Sequence, residues 1–183
     1  LGAITAQPAV AETPASLSMN GVSGLIDMPS AEQQSDGTLS IARSAFGPTA
    51  RTTLSFQITP RLSGSFRYSS IKNWGSSTAP STLFDRSFDL RHQLLTEGRY
   101  LPNLTIGMQD FIGTGVFSGE YVVATKSLGP KLKLTAGLGW GRLGSYNAIG
   151  APFGARSRVA VGLGGNLRTG EWFKGDVAPF GGI

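Results

Sequence analysis

Apolar and polar residues alternate strictly along two neighbouring segments, 52–58 and 62–68. In the first segment Leu54, Phe56 and Ile58 fall on one face, and polar residues lie between them. Alternation with a period of two predicts β-strands that have one apolar and one polar face. Because only a short turn separates the two segments, they predict an antiparallel hairpin.

The same alternation recurs along most of the chain between Gly, Pro and Asp turn signals. It predicts further strands at 38–46, 84–95, 104–109, 119–127, 131–140 and 157–166, and a run that begins at 176.

The segment 84–95 carries both a helical and a strand pattern. In 84–95 Asp85 and Asp89 lie four residues apart, as on a helix, but Phe88, Leu90 and Leu94 also share one strand face. We interpret this segment as a strand.

In the segment 119–127, Tyr121 and Val123 share one face, and Glu120 and Lys126 share the other. The pattern therefore predicts that Tyr121 and Val123 belong to the apolar face of the sheet.

The apolar faces have two possible surroundings, the core of a soluble β fold or the lipid of an outer membrane. Strands of roughly 8 to 11 residues suit tilted membrane-spanning strands. Short turns alternate with long polar loops at 73–82 and 144–155, as in outer-membrane barrels. Aromatic residues lie near strand ends, as in an interfacial girdle: Tyr68, Trp74, Tyr100, Trp140, Tyr146 and Trp172.

The favoured fold is all-β, an antiparallel up-and-down transmembrane β-barrel of which about eight to nine strands lie in this sequence. We expect residues 1–11 to be the remnant of a signal peptide, because Leu1-Gly2-Ala3-Ile4 is followed by Ala9-Val10-Ala11, a small-x-small cleavage site. Residues 12–37 are expected to be irregular. Residues 38–183 are the barrel portion, which we expect to continue beyond the fragment, because the last run stops abruptly at Ile183.

Composition limits the chemistry. The 183 residues include no cysteine, which excludes disulfides, a thiol nucleophile and thiolate metal sites. Charged residues make up 15%, well below the usual share of about a quarter, and the net charge is +5. No basic run or nucleic-acid motif accompanies that charge, so we expect no nucleic-acid partner.

Candidate catalytic residues are scarce. His92 is the only histidine, it lies on an apolar strand face, and no nucleophile-elbow motif is present. We therefore expect no enzyme activity, no cofactor and no metal site.

Six charged residues are the candidates for lumen or glycan contacts. Arg67 and Arg91 fall in mid-strand on polar faces, so a closed barrel would turn them into its lumen, where they would attract an acidic polysaccharide. The other four flank turns. They either form a charged network that pins loop geometry or contacts a glycan, or they only solvate the turns and form a buried ion pair: Glu97, Arg99, Asp110 and Glu120.

Several segments, taken together, resemble the YjbH family of exopolysaccharide-associated outer-membrane proteins. They follow the family's order at 24–31, 36–39, 88–90, 95–102, 107–115, 118–124, 137–141 and 178–182. The most distinctive is Gly107-Met108-Gln109-Asp110-Phe111-Ile112-Gly113-Thr114-Gly115.

The resemblance implies an N-terminal fragment of a longer bacterial outer-membrane β-barrel that takes part in export or assembly of extracellular polysaccharide or capsule, as passage or scaffold. Its expected partners are outer-membrane lipid, an acidic polysaccharide and periplasmic proteins of an export system. Two alternatives stay open: an outer-membrane barrel enzyme that modifies lipid or glycan, and a soluble periplasmic β-domain that binds partner proteins.

Overall fold

The main element of the computed structural model is one antiparallel sheet of eight strands. The structure describes residues 15–75, 78–157, 165, 167 and 169–183. A small hairpin, β1 (Gly24–Leu25) and β2 (Met28–Pro29), precedes the sheet. The sheet strands are β3 (Leu39–Phe46), β4 (Thr49–Thr59), β5 (Leu62–Trp74), β6 (Ser81–Leu95), β7 (Asn103–Gln109), β8 (Gly119–Ser127), β9 (Lys133–Trp140) and β10 (Val177–Gly182).

Each sheet strand pairs with its neighbours in the chain, from β3 at one edge to β10 at the other. The prediction of an all-β, antiparallel, up-and-down arrangement is therefore confirmed. Within the described residues β3 and β10 do not pair with each other, so the predicted closure into a barrel is not observed.

Most predicted strands are present, with shifted ends. The ambiguous segment 84–95 is part of β6, and β5 continues to Trp74, so the loop predicted at 73–82 is shorter than expected. The signal-peptide remnant predicted at 1–11 lies outside the described residues, as does most of the strand predicted at 157–166. None of the described segments is a helix of the length and apolarity needed to cross a membrane.

The sheet buries its polar face and exposes its apolar face. We call the buried side the inner face; it carries Thr53 and Arg67, each only 1% exposed. The outer face carries Leu54 and Phe88, 37% and 43% exposed. This is the reverse of an ordinary soluble sheet, in which the apolar side is buried.

Strand β8 departs from this rule. Tyr121 and Val123 point to the inner, polar face and are almost fully buried, so the prediction that they belong to the apolar face of the sheet is wrong. They pack with Ala31 and Phe180 in a small apolar cluster. Gly107 on β7 makes this possible, because a Cβ there would overlap the Tyr121 ring.

The sheet has two ends. At the entry end, residue 38 leads into β3, and the β4–β5, β6–β7 and β8–β9 connections lie there. At the loop end lie the other connections, including 110–118 and the longest, 141–176.

Candidate functional site

Residues 18–34, which we call the inner segment, lie across the inner face of the sheet. Thr105 and Thr125 hold Ala31 from two strands: Thr105 Oγ1 donates to the Ala31 carbonyl at 3.0 Å, and the Ala31 N–H donates to Thr125 Oγ1 at 2.9 Å. Hydroxyls on the sheet therefore satisfy backbone groups that would otherwise be buried without a partner.

Arg91 donates three hydrogen bonds to the inner segment. Its Nη1 donates to the Ser23 carbonyl at 3.1 Å, and its Nη2 donates to the carbonyls of Ser30 and Glu32 at 2.7 and 3.0 Å. The planar guanidinium thus joins carbonyls from both sides of the β1–β2 hairpin. All three contacts are to the main chain.

Arg67 and Asp89 form a buried, bidentate ion pair in the middle of the inner face. The Nη1–Oδ2 and Nη2–Oδ1 distances are 2.8 and 3.0 Å. Ser65 Oγ and the Asp110 N–H also donate to the Asp89 carboxylate, at 3.2 and 2.9 Å, and Arg67 reaches the Asn20 carbonyl at 3.4 Å. Such a pair is stable in a dry site because further hydrogen bonds satisfy the carboxylate, although Arg67 Nε has no hydrogen-bond partner among the described residues.

Two ion pairs tie side chains of the inner segment to the sheet and its loops. Arg142 Nη1 lies 2.8 Å from Asp27 Oδ2, and Lys133 pairs with Glu32 at the entry end. Both are more exposed than the Arg67–Asp89 pair. They therefore stabilise the fold less and depend more on salt.

Asp110 is buried beside two other carboxylates, those of Asp85 and Asp89. Burial and the negative charge of Asp85 raise the pKa of Asp110 to about 7, although the Phe117 N–H donates to Asp110 Oδ2 at 3.1 Å and acts in the opposite direction. Its Oδ1 has no hydrogen-bond partner among the residues that the structure describes. The group therefore changes its protonation near neutral pH.

Glu97 and Arg99 lie in the β6–β7 connection at the entry end. Burial opposes ionisation of Glu97, but hydrogen bonds from Ser127 and Lys126 outweigh it and lower the pKa of the Glu97 carboxyl. The Arg99 guanidinium lies 5.2 Å from the Tyr100 ring centre, and both residues are exposed.

Glu120 belongs to the outer face, at the loop end. Arg156 binds its carboxylate with two hydrogen bonds of 2.8 and 3.0 Å, and the Phe173 N–H donates to it at 3.0 Å. Phe173 also packs edge-on against Trp140, with ring centres 5.2 Å apart. Part of the 141–176 connection therefore covers this carboxylate.

The structure brings together only some of the six candidate residues. Arg67 lies near Asp110, since both contact Asp89, and Arg91 follows on the same face; Glu97, Arg99 and Glu120 lie elsewhere. The inner segment was not predicted as the partner of these arginines. Asp89 was not predicted as a candidate residue either, although it shares a strand face with Arg91. Among the described residues, no group of three or more acidic or histidine side chains is placed to hold a metal ion.

Comparison with known proteins agrees with the resemblance. Residues 16–183 match the model of a family described as exopolysaccharide biosynthesis protein YbjH. The chain is 30% identical over 171 residues to a protein of Escherichia coli (strain K12) named uncharacterized lipoprotein YjbH; the match covers 87% of this chain but 24% of that relative, so the chain spans about a quarter of its length. No solved structure matches the chain. The chain belongs to the YjbH family of exopolysaccharide biosynthesis proteins.

Proposed function

We propose that this chain is part of a bacterial outer-membrane β-barrel that takes part in export or assembly of extracellular polysaccharide, as passage or scaffold. The observation that carries the proposal is the inverted burial of the sheet: polar side chains are covered, and apolar ones are exposed. A sheet of this kind is stable when its outer face contacts hydrocarbon and its inner face surrounds polar groups.

The order of residues across the outer face supports a membrane environment. The strand register places Ile41, Leu54, Phe66 and Phe88 side by side in one apolar row. The next row toward the loop end is polar and aromatic, as expected at a membrane interface: Arg43, Thr52, Tyr68 and Arg86.

The inner segment occupies the space that would be the lumen of such a barrel. Arg67 and Arg91, the residues expected to attract an acidic polysaccharide, bind Asp89 and backbone carbonyls instead. A polymer reaches these cations only after the inner segment moves. A scaffold needs no such movement, whereas a passage does.

The membrane part of the proposal is tested by placing a charge at two depths of the outer face. Leu54→Arg lies in the apolar row, and the matched control Ser70→Arg lies on the outer face of β5, two rows nearer the loop end. In a lipid-embedded sheet, Leu54→Arg should cost about 2–4 kcal/mol and the control about 0–1 kcal/mol. The measurement is the amount of folded protein in outer-membrane fractions that resist alkaline extraction.

Equal tolerance of both variants, or loss of the protein from membranes on alkaline extraction, would contradict the membrane proposal. The polysaccharide part is tested separately, by deleting the gene and complementing it with the wild-type protein. We expect secreted polysaccharide to fall on deletion and to return on complementation. Unchanged secretion would contradict a role in export or assembly.

A further inference from the structure

A polar cavity of about 610 Å³ opens at the entry end, between the end of the inner segment and the sheet. Its size is within the range of about 300–1,000 Å³ that is usual for ligand sites. Only Ala15 and Pro60 among its described lining residues are apolar. The cavity therefore suits a hydrophilic ligand and not a lipid chain.

Side-chain amides in the cavity wall are held in fixed positions and keep free hydrogen-bonding groups. Gln93 Nε2 donates to Asn103 Oδ1 at 2.7 Å, and the Glu97 N–H donates to the same oxygen at 2.8 Å. Ser40 Oγ donates to Gln34 Oε1 at 2.9 Å.

The opposite ends of these amides are unused. Gln93 Oε1, Asn103 Nδ2 and Gln34 Nε2 make no hydrogen bond within the described residues. They form a set of one acceptor and two donor groups, and hydroxyls of Thr38 and Thr96 also line the cavity. Sugar hydroxyls both donate and accept, so they need such a mixed set.

The charges of the cavity oppose an acidic ligand. Glu32, Asp36 and Glu97 line it, against Lys133 as the only cationic residue of the described lining. Lys133 already pairs with Glu32, and Lys126, just outside the lining, pairs with Glu97. The one lining charge without an ion pair among the described residues is the negative Asp36, so the cavity offers a polyanion no free cation.

We propose that this cavity is a binding site for a neutral oligosaccharide segment, recognised by the amide groups of Gln34, Gln93 and Asn103. The inference rests on the proposed function for the choice of a glycan. It differs from the expectation of an acidic polysaccharide, which was based on Arg67 and Arg91. Those arginines are engaged with the chain itself.

The test uses Asn103→Asp in the full-length protein. Aspartate keeps the acceptor oxygen for Gln93 and for the Glu97 N–H, but it loses the Nδ2 donor and adds a negative charge. The control is Asn147→Asp, the same change at an exposed site at the loop end. The probes are maltopentaose and a galacturonate pentamer, and the measurement is saturation-transfer NMR on the purified protein.

We expect maltopentaose to bind the wild type and the control, and its affinity for Asn103→Asp to fall by about fivefold or more, the effect of losing one hydrogen bond. The galacturonate pentamer should bind more weakly than maltopentaose. Absence of maltopentaose binding, equal binding by both asparagine variants, or stronger binding of the galacturonate would each overturn the inference.

These outcomes are separable from the proposed function. If the protein binds maltopentaose as expected but has no effect on secretion, the binding site is supported and the export role is contradicted. If the protein is needed for secretion but binds neither probe, the export role is supported and the binding site is contradicted.

Discussion

Apolar and polar residues alternate along both β6 and β8, yet the inner faces of these two strands make different kinds of contact. The inner face of β6 carries Asp89 and Arg91, which work through ion pairs and hydrogen bonds to the backbone. The inner face of β8 carries Tyr121 and Val123, which pack against apolar groups. The difference arises from the groups of the inner segment that lie opposite each strand. Buried carbonyls lie opposite β6, whereas the side chain of Ala31 lies opposite β8. What a strand buries is therefore set by what lies opposite it.

The largest expected effect comes from removing the Arg67–Asp89 ion pair on the polar inner face. Arg67→Met leaves the Asp89 carboxylate buried without its cation, which should lower the free energy of unfolding by about 3–5 kcal/mol. Urea unfolding, followed by tryptophan fluorescence, measures the change. Arg61→Met is the matched control, because Arg61 is exposed in the β4–β5 turn. Similar unfolding midpoints for the two variants would show that the buried pair contributes little.

The second prediction concerns pH. The pKa of Asp110 is raised to about 7 from 3.8 by burial and the nearby Asp85 and Asp89 carboxylates, with Arg67 opposing. The folded state therefore holds a proton that the unfolded state releases, so this group's contribution to stability is complete below about pH 4 and is lost as the pH rises through about 7. The upper limit of the loss is about 4 kcal/mol.

Asp110→Asn removes that titration. Relative to the wild type, the variant should gain stability at pH 8 and gain little at pH 4, as measured by urea unfolding at both values. Asp36→Asn is the control, since Asp36 is exposed. A difference between Asp110→Asn and the wild type that does not change with pH would rule out the raised pKa.

A smaller effect is expected from Arg91→Lys, which tests the hold on the inner segment. Lysine keeps the charge but cannot reach three carbonyls with a planar fork, so the inner segment should be destabilised by about 1.5–3 kcal/mol. Faster hydrogen exchange at 18–34 measures this. Arg43→Lys, at an exposed outer-face position, should leave that exchange unchanged. Equal exchange in both variants would mean that Arg91 does not hold the inner segment.

The smallest expected effect concerns the apolar packing between β7 and β8. Gly107→Ala places a methyl group against the Tyr121 ring and should cost about 1–3 kcal/mol through overpacking. Gly98→Ala is the matched control, because a Cβ at Gly98 meets nothing within 4 Å. Urea unfolding compares the two. If both substitutions were neutral, β8 would not be closely packed against β7.

The period-two pattern predicted β4 through β7 well, because alternation is a local property that each strand shows by itself. It failed at β8, because Tyr121 and Val123 are as apolar as an outer face requires and nothing local says which way they point. The deciding partners are distant: Ala31 and Phe180 reach them through the fold.

For the candidate residues, too, the local sequence predicted the strand face but not the contact partner. Arg67 and Arg91 were correctly placed on polar faces, since a charge in mid-strand must lie opposite the apolar side. Their partners were not predictable, because residues 18–34 have little periodicity and bind mainly through backbone carbonyls, which every sequence has.

By itself, then, the amino-acid sequence determined the strands, their turns, the apolar and polar faces of β3 to β7, and the family. Only the tertiary structure decided that the polar face is covered, that the inner segment covers it, and that β8 turns apolar side chains toward it. Periodicity depends only on residues that are neighbours in the chain. Which face is buried depends instead on contacts between residues far apart in the chain, such as Glu32 with Lys133 and Asp27 with Arg142.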